Sequence, residues 1–89
     1  MDAYTYRVII EPDGDGYHGY VPVVPGVHTC GRTIDETKVN LREALVACLE
    51  TLIAHGEPIP EDDSLEYIQS ISALELQVQP TKQEIRPYI

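Results

Sequence analysis

The sequence contains no tryptophan and no phenylalanine, so its aromatic surface comes from six tyrosines, each carrying a hydroxyl that needs a partner wherever it is buried. Cysteine is nearly as scarce. Cys30 and Cys48 lack the close spacing of a zinc or redox motif, and they read as small core hydrophobes in a reduced chain. Positive charge is short as well: six Lys and Arg stand against fifteen Asp and Glu, a net charge of −9. A field of that sign repels phosphate backbones, so no direct DNA binding is expected and a basic protein partner fits better. No apolar run approaches the ~20 residues of a membrane span, and the start of the chain has no secretory pattern. A soluble, cytoplasmic protein is expected. With 89 residues the chain can build about one sheet face and one helix.

What is present reads as alternating strands followed by a helix. Residues 4 to 11, YTYRVIIE, place Tyr4, Tyr6, Val8 and Ile10 on one face. The stretch from Pro12 to Gly16, PDGDG, supplies the positive-φ positions of a hairpin turn. DGDG also opens like a calcium loop, but the later oxygen ligands and the closing glutamate are missing, which favours a plain turn. Tyr17 to Val21 is the returning strand and Val27 to Gly31 a third. Between them, Pro22 and Pro25 belong at strand ends and edges, because proline cannot donate to a ladder.

Thr33 and Glu36 have the spacing of a capping box, so a helix is predicted from residue 34. Ile34, Leu41, Leu45, Cys48, Leu49, Leu52 and Ile53 form its apolar stripe, and Gly56 with Pro58 stops it near His55. Val39 and Val46 widen the apolar surface beyond what one sheet covers. Together with Pro22, Val24 and Pro25 they are the candidate contacts of a homo-oligomer. Ser70 to Gln79 alternates at Leu74, Leu76 and Val78 and reads as a fourth strand.

A strand that follows a crossover helix returns beside a parallel neighbour. The expected fold is therefore α+β, β-β-β-α-β, a mostly antiparallel sheet of order 3-2-1-4 with one helix packed on one face. Residues 1–79 form a single domain, and 80–89 a tail.

These segments resemble the HicB-like antitoxins. The likeness rests on Tyr4 to Pro12, on Gly16-Tyr17 to Tyr20-Val21, and on the Val21-Pro22-Val23-Val24-Pro25-Gly26 unit. It continues through Gly31-Arg32-Thr33 with Asp35-Glu36, Asn40 to Leu45, and Gly56-Glu57-Pro58-Ile59-Pro60. It covers about residues 4 to 60. The resemblance implies a partial RNase H-like fold and a partner resembling HicA, a small toxin that cleaves mRNA. It departs from the family pattern in having Val27 where a cysteine often follows the Pro-Gly, and in showing no helix-turn-helix pattern after Pro60.

Kinship to a nuclease fold does not confer chemistry. A two-metal nuclease needs several converging carboxylates, whereas the first strand offers only Glu11 at its end. His18, His28 and His55 lie on separate elements. No catalytic residue, metal site or cofactor is expected. The reading is a non-catalytic inhibitor of a HicA-like toxin of a type II toxin-antitoxin pair, with Asp13, Asp15, Tyr17, His18 and Tyr20 as the candidate partner-binding residues. A free-standing oligomeric domain with a structural or small-ligand role is the alternative, and a residual metal nuclease a third.

Overall fold

The computed structural model describes residues 3–77. Strand β1 (Ile9–Asp13), β2 (Gly16–Tyr20) and β3 (His28–Gly31) precede a single α-helix, α1 (Ile34–Ala54). The strands form one antiparallel sheet of order β1-β2-β3, with Ile9 opposite Tyr20, Glu11 opposite His18, and His18 opposite Cys30. The α+β class is that expected.

Two expectations about strands need correction. The first strand begins at Ile9 rather than Tyr4, because β2 ends at Tyr20 and the chain then turns away, leaving residues 4–8 with no strand opposite. The fourth strand is not formed among the described residues. Part of it, Ala73–Glu75, is instead one turn of 3-10 helix, and residues 78 and 79 lie outside the described range, as does the 80–89 tail. Alternation alone does not make a strand, and local bonds compete with it here. The Ser72 hydroxyl accepts from the Leu74 N–H at 3.1 Å, while the Ser72 N–H donates to Glu75 Oε2 at 2.9 Å.

The hairpin from β1 to β2 closes through Gly14 and Asp15. Gly14 has φ +59°, and no non-glycine residue among those described has positive φ, the φ signature of a type II′ turn that matches the twist of the strands.

The Val21–Val27 loop is built from two consecutive turns. The Val24 N–H donates to the Val21 carbonyl at 3.1 Å and the Val27 N–H to the Val24 carbonyl at 3.3 Å. Each turn has proline in its second position, Pro22 and then Pro25, and the second turn has Gly26 at φ +84°, as a type II turn requires. The spacing of three sends Val21, Val24 and Val27 inward, where with Leu41 they form the buried core. Val24 is 2% exposed. It belongs to the protein's own core, not to a subunit surface, whereas Pro22 and Pro25 remain exposed.

Helix α1 starts where the capping box places it. Thr33 Oγ1 accepts from the Glu36 N–H at 3.0 Å, but the Glu36 carboxylate accepts from the Arg32 N–H at 3.1 Å, one residue earlier than the Thr33 N–H expected. It ends in a Schellman motif: Gly56 donates to the Ile53 carbonyl and Glu57 to the Leu52 carbonyl, with Gly56 at φ +67°. The first turns lie very close to β2 and β3. A Cβ on Gly31 would stand 2.6 Å from Thr37 Oγ1 and one on Gly19 would stand 3.0 Å from Thr37 Cγ2, so both positions need a bare backbone. Thr37 is fully buried, and its hydroxyl donates to the Thr33 carbonyl at 2.7 Å. Asn40 Nδ2 donates to the Cys30 carbonyl at 3.0 Å, tying helix to sheet.

Candidate partner-binding face

Because α1 sits against the Gly19 side of the sheet, strand alternation assigns the opposite side to Ile9, Glu11, His18, Tyr20, His28 and Cys30. Among the described residues no helix or strand lies over this face. Its middle is aromatic: the His18 and Tyr20 rings stack with centroids 5.7 Å apart, and the His18 and His28 rings are 6.0 Å apart. One edge is acidic, with Glu11 directly opposite His18 and Asp13 exposed at the end of β1.

This arrangement divides the residues expected to bind a partner. His18 and Tyr20 share the uncovered face, with Asp13 and Asp15 exposed where the hairpin turns. Tyr17 alternates to the helix side, where it lines a shallow depression of about 460 Å³ with Arg32, Thr33, Ile34 and Asp35. Ile9, Glu11, His28 and Cys30 complete the face. They become legible only once the two-residue turn fixes the register.

Among the described residues no three His, Cys, Asp or Glu side chains are grouped to hold a metal ion. Cys30 is an exposed free thiol, and Cys48, on α1, packs at the core margin. The face thus combines stacked rings with a carboxylate border.

Two apolar depressions lie elsewhere. An open groove of about 510 Å³ runs between β1 and α1, floored by Val8, Ile10, Leu41 and Leu45 and rimmed by Lys38 and Arg42. A shallower one of about 460 Å³ on the outer helix flank includes Val39 and Val46, 57% and 43% exposed.

A third feature is a clamp at the root of the chain that follows the helix. The Tyr6 hydroxyl donates to the Pro60 carbonyl at 2.6 Å, and the Arg7 N–H donates to Asp62 Oδ2 at 2.8 Å. Hydrogen bonds from the Ser64 hydroxyl and from the N–H groups of Arg7 and Ser64 hold the Asp62 carboxyl below its ordinary range. Desolvation first, then the neighbours Tyr4, Glu61 and Asp62, push the Tyr6 phenol above its ordinary value.

Residues 6–78 match the family model described as HicB_like antitoxin of bacterial toxin-antitoxin system. The chain belongs to the HicB-like antitoxin family. Among family relatives, a UPF0150 protein of Thermoplasma acidophilum is 45% identical over 62 residues, covering 68% of this chain and 90% of that protein. A UPF0150 protein of Synechocystis is 39% identical over 61 residues, covering 67% and 77%. The crystal structure of the N-terminal domain of the Burkholderia pseudomallei antitoxin HicB is 39% identical, with a TM-score of 0.52 over 82% of this chain and 79% of that one. The HicB-like match runs through the sheet, the helix and the clamp. It therefore covers the uncovered face and both apolar depressions. No helix among the described residues is long and apolar enough to cross a membrane.

Proposed function

We propose that this HicB-like chain is a non-catalytic, cytoplasmic antitoxin that binds a HicA-type mRNA-cleaving toxin and occludes its RNA-binding surface. The observation that carries the reading is the family match over residues 6–78. The uncovered sheet face supports it chemically. A site that cleaves RNA must attract phosphate, and His18, Tyr20, Asp13 and Asp15 offer it rings to stack on and carboxylates to pair with. The net charge of −9 speeds encounter with a basic partner and opposes a direct grip on DNA. We further propose a homo-oligomer, with Pro22, Pro25, Val39 and Val46 as exposed contact candidates.

The test is co-expression with a HicA-type toxin encoded beside this chain's gene. Rescue of growth and co-purification of the two proteins are expected. Continued growth arrest, with the two folded proteins eluting separately, would overturn the reading. Added Mg²⁺ or Mn²⁺ should give no RNA cleavage by the purified chain; cleavage lost in Glu11→Gln would point to the metal nuclease instead.

A further inference from the structure

After the clamp at Asp62 the chain carries a row of apolar side chains left open to solvent. Leu65, Ile68 and Leu74 are 94–95% exposed, Tyr67 is 80% exposed, and Ile71 and Leu76 are 60% and 49% exposed. Isolated exposed leucines are ordinary, but a contiguous row of this length marks a contact surface. The same molecule has an unfilled apolar groove beside β1, whose outer edge pairs with no strand among the described residues. Among the described residues both the arm and the groove are left open.

We propose that the arm formed by residues 65–76 docks in the β1/α1 groove of a second copy, whose own arm docks reciprocally in the first. This rests on the homo-oligomer reading above and assigns its interface.

Charge favours that pairing. Residues 61–77 carry Glu61, Asp62, Asp63, Glu66 and Glu75 and no Lys or Arg, while the groove is rimmed by Lys38 and Arg42, two of only six cations in the chain. An acidic apolar strap thus faces a cation-rimmed apolar channel.

The course of the arm favours a second copy over the chain's own groove. Tyr6 and Arg7 pin Pro60 and Asp62 beside the start of the groove, close to Val8. The arm leads away from it: Leu65, Ile68 and Leu74 stay almost wholly in solvent, and the radius of gyration is 17.9 Å, against about 12 Å for a compact chain of this length. The single 3-10 turn at Ala73–Glu75 is held by local bonds and leaves Leu74 in solvent, so docking has little packing to undo. Reciprocal exchange about a two-fold axis fills both grooves and closes the assembly.

The test uses the full chain with Cys30→Ser and Cys48→Ser. One preparation carries Val8→Cys in the groove, a second Leu74→Cys in the arm, and a third both. Mixing the first two and oxidising with diamide is expected to give a covalent heterodimer, and the third is expected to give covalent dimers that persist on dilution. A third preparation bridged only within single 10.0 kDa chains, or no bridging at all, would overturn the exchange. Sedimentation of the unmodified chain separates the two readings. A dimer mass without cross-copy bridging defeats the arm assignment alone, whereas a monomer defeats the oligomer as well. Leu74→Asp, at a side chain with no contacts to lose inside its own fold, should raise the dimer dissociation constant about tenfold or more with an unchanged circular dichroism spectrum.

Discussion

The Tyr6 hydroxyl and the Pro60 carbonyl, 54 positions apart in sequence, meet at 2.6 Å and join the segment before β1 to the segment after α1. Tyr6→Phe keeps the ring against the core and removes only the donor, so it should cost about 1 kcal/mol. The phenol's pKa is raised by folding, which means the folded state holds this proton more tightly. Its stabilisation is complete below the ordinary value of 10.0 and is lost as pH rises through the raised one. Urea titrations between pH 8 and 11 should show a loss of stability in the parent that Tyr6→Phe reduces.

Asp62 gives the opposite slope. Its carboxyl lies below the ordinary 3.8 in the folded state, so the stabilisation is present above 3.8 and is lost as pH falls through the lowered value. Asp62→Asn should flatten the acid limb of the stability profile below about pH 4 while leaving the neutral fold intact, as read by circular dichroism.

Gly31→Ala should be among the most disruptive single-methyl changes. The added Cβ would stand 2.6 Å from Thr37 Oγ1 and 2.8 Å from the Thr37 nitrogen, and a helix backbone atom cannot swing aside. A loss of about 3 kcal/mol is expected, seen as a lower urea midpoint. Gly19→Ala meets a methyl at 3.0 Å and should cost less.

On the uncovered face, Tyr20→Ala should speed dissociation of the toxin about tenfold or more by removing the ring stacked on His18. Replacing Asp13 and Asp15 by Asn should instead slow association and weaken its salt dependence. Tyr17→Ala, on the helix side, should leave both rates near those of the parent. Surface plasmon resonance at two salt concentrations checks all three. Unchanged rates in folded Tyr20→Ala would move the toxin contact off this face.

Local chemistry explains which parts of this fold can be read from sequence. The hairpin at Gly14, the cap at Thr33 and the stop at Gly56 each depend on one or two residues within a few positions, and all three form where expected, though the Glu36 carboxylate takes the Arg32 N–H in place of the Thr33 N–H. The clamp is not legible, because nothing near Asp62 in sequence announces that the Arg7 N–H is its partner. Thr37 escapes notice because a threonine in a helix reads as surface until two glycines bring the sheet against it. The fourth strand is not formed among the described residues, because alternation reports only a preference for a half-buried ladder and the Ser72 capping bonds close a 3-10 turn there instead. Of the face itself, His18 and Tyr20 are identified by their position on the hairpin. Tyr17 falls on the other side, because the period of two separates neighbours that adjacency in sequence groups together.

The paired turns of the Val21–Val27 loop bear on the unfolded chain as much as on the folded one. Pro22 and Pro25 have φ restricted near −65° in the unfolded chain too, so the conformations they hold in the turns are already common in the denatured ensemble. Three of the four core residues lie within this one short segment. The valines therefore need no distant part of the chain to bring them near one another. A domain with so small a core gains from this arrangement, since the disorder surrendered on folding is reduced where the apolar contacts are made.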